Sequence, residues 1–396
     1  MHKPCEIEIP LRNKYLAATI EVKSSIKIAK NLFEELCLNP FASLFDRKPA
    51  PLIGLDISSS SIKLVELDQS PDGSYILERC ALETLEAGWV IDGVIEKFDE
   101  VTQAVERVIK KSGSKAKNVA MALPAAAVIT KRIVLPAGLT EAEMEIQVET
   151  EANQYIPFSL DEVSLDFCTI GPSANSPDDI EVLIAASRKE KVEERQSLAE
   201  AVGLKPVVLD IDSYAARAVA LEQIKRLPNQ GKDLIVALFE IGSMSTAMQV
   251  IQNGNVLYER DQMFGGAQLT QLIVRQYGFS SEEAEQKKRG GDLPDDFAQT
   301  VLAPFVEGTA QEVARALQFF YTSTPFNSVD YILLAGGGSN LEGLVETLAS
   351  TTSTVCKLVD PFDGMHIAPS VKDKQLRLSS ASYIGACGLA MRRFSL

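Results

Sequence analysis

The chain has 396 residues, with 54 acidic against 39 basic side chains and a formal net charge of −15. That balance excludes a protein that grips a nucleic-acid backbone over a broad surface, which needs a basic face, and the length points to about two domains. The six cysteines (Cys5, Cys37, Cys80, Cys168, Cys356, Cys387) form no CxxC pair, and His2 and His366 are the only histidines, so a zinc cluster and a Ser-His-Asp triad are also excluded.

Scattered thiols fit a reducing cytoplasm. No apolar run reaches the roughly 18 residues of a membrane span, and the first 20 residues lack the pattern of a secretory leader. Residues 1–50 read as an extension. Ile26 to Leu38 has helical spacing, and Asn39-Pro40 and Pro49-Ala50-Pro51 break it. An accessory helix with a linker and a helix that docks on a partner are both open readings.

From Leu52 the pattern changes. An apolar strand ends in Asp56, the turn Ser58-Ser59-Ser60-Ser61 follows, and alternation resumes through Ile62, Lys63, Leu64 and Leu67. A hydroxyl-rich turn is a natural seat for an anion, and a carboxylate at a strand end can hold a hydrated cation. Taken alone, the stretch is most simply a hairpin. A third strand (Tyr75 to Leu85), a helix (Phe98 to Lys111) and a buried strand (Val119 to Leu123) come next.

Residues from about 125 to 205 read as an inserted α/β module: a strand from Val128, a helix capped by Thr140, strands from Val163 and Glu181, and a helix over Lys189–Ala201. The acids Glu141, Glu143, Glu145, Glu149 and Glu151 read as the solvated face of that first helix. Asp210 and Asp212 close the returning strand. Each is open to two readings, a residue that orients water or a cap for the helix that follows.

Pro228-Asn229-Gln230-Gly231 is a linker, and the second half repeats the grammar of the first. Leu234 to Phe239 ends in Glu240, and Gly242-Ser243-Met244-Ser245 forms the turn. Asp56 thus aligns with Glu240, Ser58 with Gly242, and Ser61 with Ser245. Matching hairpins in the two halves imply a duplicated domain with a ligand between the halves. Gly265-Gly266 precedes a helix, where free N–H groups can meet an anion. Glu285 and Lys288 share a face of the next helix. A strand from Val329 runs into Gly336-Gly337-Gly338-Ser339, with a helix expected from about Asn340, and Ser379 to Arg392 reads as a small-residue helix able to pack closely on a sheet.

Two acid-ended hairpins followed by a strand–GGG–helix resemble the actin-like ATPase superfamily of sugar kinases, chaperone ATPases, actin and FtsA. More specifically, the stretch 54–67, Glu151-Ala152-Asn153-Gln154-Tyr155-Ile156-Pro157, Arg188-Lys189-Glu190, Phe264-Gly265-Gly266, Leu293-Pro294-Asp295-Asp296, Leu317-Gln318-Phe319-Phe320 and Leu334-Ala335-Gly336-Gly337 are together similar to the PilM family of type IV pilus assembly proteins. The resemblance implies an actin-like ATPase fold of two duplicated lobes with an FtsA-like inserted subdomain. The expected divisions are 1–50, 51–226 (module at about 125–205) and 232–396.

The resemblance also implies ATP with Mg²⁺. Asp56, Ser58, Ser59, Ser60, Ser61 and Lys63 would form the first phosphate loop, and Glu240, Gly242, Ser243 and Ser245 the second. Gly265 and Gly266 would approach the phosphates, Glu285 and Lys288 would face the ribose and base, and Gly336, Gly337, Gly338 and Ser339 would back the adenine. Asp56 and Glu240 would hold the metal through water. The implied partner is the N-terminal cytoplasmic peptide of inner-membrane PilN, with motor ATPases and self-association as further contacts. The implied location is the inner face of the inner membrane, in pilus biogenesis and twitching motility.

The second hairpin carries Glu240 where Asp is usual. One extra methylene moves the carboxylate by about 1.5 Å, so binding is expected with slow hydrolysis at most. The alternatives are a small-molecule kinase, with Asp210 or Asp212 as its base, and a filament-forming ATPase like FtsA. FtsA's amphipathic membrane-targeting C-terminus has no counterpart in Arg392-Arg393-Phe394-Ser395-Leu396.

Overall fold

The computed structural model describes residues 49–173, 176–371, 376 and 379–395; the helix expected at Ile26–Leu38 lies outside the described residues. Strands β1 (Leu52–Ile57) and β2 (Ser61–Gln69) form a hairpin, and β3 (Tyr75–Thr84) pairs with β2. The short pair β4 (Val90–Ile91) and β5 (Val94–Ile95) leads to helix α1 (Phe98–Ser112), which Gly113 ends in a left-handed cap. Strand β6 (Asn118–Leu123) returns parallel to β1.

The chain then leaves the sheet. Strands β7 (Val128–Pro136), β8 (Val163–Pro172) and β9 (Asp179–Arg188) form a separate sheet of order β7-β9-β8, which carries helix α2 (Glu141–Tyr155). Thr140 and Glu143 close a reciprocal capping box at the start of α2. Helix α3 (Lys189–Ala201), strand β10 (Lys205–Ile211) and helix α4 (Asp212–Ile224) bring the chain back.

The second half repeats the first. Its strands are β11 (Ile235–Ile241), β12 (Thr246–Gln252), β13 (Asn255–Gln262), β14 (Tyr331–Ala335) and β15 (Val355–Leu358). Between them lie α5 (Gly266–Tyr277), α6 (Ser281–Gly290), α7 (Ala303–Ser323) and α8 (Leu344–Thr352). The second sheet has the order β13-β12-β11-β14-β15, and the first contains β3-β2-β1-β6-β10. In both, three antiparallel strands are followed by two parallel ones. Helices cover both faces of these sheets, which is why β1 and β11 read as near-continuous apolar runs.

Three parts of the chain differ from the sequence expectation. Helix α3, expected inside the inserted module, packs Val192, Leu198 and Ala199 into the core of the first lobe with Val105 and Leu209. The end of the chain, expected in the second lobe, crosses back. Strand β16 (His366–Ile367) joins the first sheet beside β3, and α9 (Ile384–Met391) packs on β1 and α4. Two glycines permit this approach: a Cβ on Gly54 would lie 2.1 Å from Ala386 O, and one on Gly388 would lie 1.9 Å from Ala215 O. The helix expected from Asn340 begins later, at Leu344. Gly343 has φ 79°, a left-handed conformation that no α-helix continues through.

Candidate functional site

Both hairpins end at the carboxyl edges of their sheets, where open α/β folds bind ligands. Their backbones agree in detail. Ser58 N donates to Ser61 O at 3.0 Å, and Gly242 N donates to Ser245 O at 2.9 Å. Asp56 is paired with Lys63 across the first hairpin, as Glu240 is with Ala247 across the second. The alignment made from sequence is therefore the alignment in space. Ser58 stands where the second hairpin has Gly242, and its hydroxyl folds back onto Ser61 O at 3.0 Å.

The two jaws differ in charge. Lys63, 8% exposed, donates to Asp56 Oδ2 at 3.0 Å and to Ser58 Oγ at 2.8 Å. Alanine at the matching position leaves Glu240 with no such cation. Burial pushes the Glu240 carboxyl from 4.5 up to about 8, and the charges of Asp56 and Asp212 add to the rise. Asp212 stands open to the cleft but walled by protein on its other sides. Loss of bulk water lifts it from 3.8 to about 7, against the pull of N–H bonds from Ser213 and Ala125. Asp261, at the end of β13, is raised by burial too and bears on both.

This carboxylate-rich cleft suits a cation. Among the described residues, no three His, Cys, Asp or Glu side chains converge closely enough to hold a metal directly, so a divalent ion bridged by water is the arrangement the donors fit. The hydroxyls of Ser59, Ser60, Ser243 and Ser245 line the two turns.

Other expected residues have different roles. Asp210 is wholly buried and ion-paired with Arg392; burial raises its carboxyl, opposed by that arginine. It lies under α9 and does not reach the cleft, so it is no candidate base. Asp212 is both a helix-opening residue and a cleft residue: Oδ1 accepts from Ser213 N at 2.6 Å and Ala125 N at 2.9 Å. The Gly265–Gly266 pair packs on the second hairpin. Gly266 N and Ala267 N donate to Gly242 O and Ser243 O at 3.0 and 2.9 Å, so these N–H groups are already used. A Cβ on Gly265 would lie 2.5 Å from Ser243 O.

The glycine turn is likewise mostly structural. Gly336 has φ 86° against Ile241 O, Gly338 also packs on Ile241, and Ser339, 1% exposed, bonds Gly336 O at 2.7 Å. Gly337 is the member that faces outward.

Glu285 and Lys288 belong to a compact network. They pair at 2.6 Å, and the Thr270 hydroxyl accepts from Lys288 (2.7 Å) and donates to Glu285 (2.6 Å). Burial opposes ionisation of Glu285, but Lys288, Thr270 and Arg289 outweigh it and hold the carboxyl at about 2. Arg289 extends the network across the cleft, bonding Glu285 Oε1 at 2.8 Å and reaching Ser60 O at 3.5 Å. Sequence reading missed Arg289 and Asp261. Arg289 was hidden as a last-turn cation favoured by the helix dipole. An acid at the end of β13 was the available signal for Asp261.

A second concavity of about 480 Å³ lies where the inserted module meets the first lobe. Ile129, Ile156, Phe158, Val163 and Ala186 supply apolar lining, and Arg188 stacks its guanidinium 4.0 Å over the Phe158 ring.

Two lobes of one topology, each with an acid-ended hairpin facing a common cleft, define an actin-like ATPase fold. A family model for the type IV pilus assembly protein PilM matches residues 54–394, and the chain belongs to that family. Among solved structures, a PilM-PilN type IV pilus biogenesis complex matches with TM-score 0.70 at 27% identity, covering 86% of this chain and 98% of the other. The ethanolamine utilization protein EutJ from Carboxydothermus hydrogenoformans matches in fold, with TM-score 0.53 at 16% identity over 92% and 98% of the two chains.

Proposed function

We propose that the protein is a cytoplasmic ATP-binding scaffold of type IV pilus assembly. It docks the N-terminal tail of inner-membrane PilN in the Ile129–Phe158 groove and links that platform to the motor ATPases. The observation that carries the nucleotide half is the facing pair of matched hairpins. The support for the partner half is the apolar groove, in a chain similar to a protein solved as a PilM-PilN complex. Among the described residues no helix is long and apolar enough to cross a membrane, and attachment through PilN is part of the same reading.

Asp56 and Glu240 would hold Mg²⁺ through water, and the ion would screen the charge of the phosphates. Lys63 is placed to exchange Asp56 for a phosphate oxygen, and the serine turns supply neutral donors. Hydrolysis is slow in this reading, because Asp210 is sequestered by Arg392 and the longer Glu240 side chain sets a water-bridged ion less tightly than Asp would. Burial of Asp210 removes one of the two bases a kinase could use; Asp212 remains as the other, and turnover with a panel of small-molecule acceptors separates the two readings.

Calorimetry with Mg-ATP tests the cleft: Asp56→Ala is expected to weaken binding about tenfold or more, the loss of one charge-assisted contact. Unchanged affinity takes Asp56 out of the site. A pull-down with a synthetic PilN tail tests the groove, and absence of binding with and without ATP refutes the partner assignment.

A further inference from the structure

The cleft and the groove share one hydrogen-bonded strut. The short turn Ala125–Ala127 forms part of the groove wall, through Ala126 and Ala127. Its first N–H, on Ala125, donates to Asp212 Oδ1 at 2.9 Å, a residue 87 positions later. Its last carbonyl, Ala127 O, accepts from Ser187 Oγ on β9 at 2.8 Å. Asp212 itself stands in the cleft, close enough for its charge to bear on Glu240.

The second lobe grips the same point. Gln249 on β12, 2% exposed, donates Nε2 to Ser213 O at 2.9 Å, and Glu259 on β13 lies close to Ser213 and Arg217 of α4. One carboxylate oxygen thus accepts from Ser213 N and Ala125 N together. The first turn of α4 and the groove wall are tied to each other, and the first turn of α4 is tied to the second lobe.

We propose that Asp212 is a positioning residue that couples nucleotide in the cleft to peptide in the groove. A ligand held by both hairpins changes the set of the second lobe against the first. Gln249 carries that change to Ser213, and Asp212 passes it to Ala125 and the wall. Coupling through a physical element that both sites bias is reciprocal. The proposal rests on the function proposed above, and its test separates the two.

The full chain is titrated with a synthetic PilN tail peptide, with and without Mg-ATP, and in reverse. The expected result is a change of about fivefold or more in each Kd, by the same factor. Gln249→Leu keeps the side-chain volume and touches neither ligand. It should leave peptide affinity for the nucleotide-free protein within about twofold and abolish the response to nucleotide. Asp212→Ala should abolish the response as well, whereas Asp212→Asn keeps an acceptor for Ala125 N–H and retains part of it.

Equal peptide affinity with and without nucleotide overturns the proposal, as does a full response in both Gln249→Leu and Asp212→Ala. If the peptide binds in neither state, the partner assignment has failed and the strut is judged by hydrogen exchange at residues 125–128. Protection that changes with Mg-ATP supports the coupling, and unchanged protection overturns it. If Asp212→Ala does not fold, Gln249→Leu decides.

Discussion

Glu240→Gln should stabilise the nucleotide-free protein at alkaline pH while weakening its hold on Mg-ATP. The wild-type carboxyl moves from 4.5 to about 8 on folding. Below 4.5 it is protonated in both folded and unfolded chains and has no effect on stability. Between 4.5 and 8 the folded chain keeps a proton that the unfolded chain has lost, so stability falls as pH rises. Above 8 both are ionised and the full cost of the charge remains.

At about 1.4 kcal/mol per unit the rise corresponds to at most about 5 kcal/mol. The side chain is partly open to cleft water, and screening there brings the expected gain for glutamine to about 2 kcal/mol. Denaturant unfolding of wild type and variant at pH 4.5, 6.5 and 8.5 measures it. The two curves should coincide at the lowest pH and separate progressively above it. A gain independent of pH, or none at pH 8.5, refutes the reasoning. The physical content is that the cleft keeps a carboxylate whose charge is unfavourable until a cation joins it.

Three further outcomes follow from packing and pairing. Gly54→Ala places a Cβ against backbone atoms of α9, at 2.1 and 2.4 Å, and is expected to cost about 3 kcal/mol in thermal or denaturant unfolding; a loss within experimental error would show that α9 is not held as described. Asp210→Ala strands Arg392 in the core and should cost about 3–5 kcal/mol, with ATP affinity of the folded fraction retained. A stable Asp210→Ala variant that loses only ATP hydrolysis would restore Asp210 as a catalytic candidate. Thr140→Ala removes the capping box of α2 at a cost of about 1 kcal/mol, read as a lowered melting temperature with no change in nucleotide binding.

Much of this was legible in the chain because it is local. A strand ending in an acid, followed by a small-residue turn and a second strand, specifies a hairpin by its own periodicity. The two hairpins, matched in sequence at Asp56 with Glu240 and Ser58 with Gly242, share the same cross-strand pairing and the same turn hydrogen bond. The cap at Thr140 was legible for the same reason.

What the chain could not disclose was which surface each residue would meet. Asp210 and Asp212 are two apart at a strand end and equally suited on paper to orient water. Only the return of α9 across the first sheet, with Arg392 at its foot, buries Asp210 and leaves Asp212 in the cleft. The glycines at 265–266 and 336–338 announced close approach, but whether to a ligand or to a neighbouring hairpin depended on Gly242 and Ile241 from another strand. Sequence by itself determined the elements, the duplication and the acid-ended jaws, since those rest on spacing within a few residues. Tertiary structure alone decided the partners of Asp210, Asp212 and Arg289, because burial and ion pairing there are made by segments far apart in the chain.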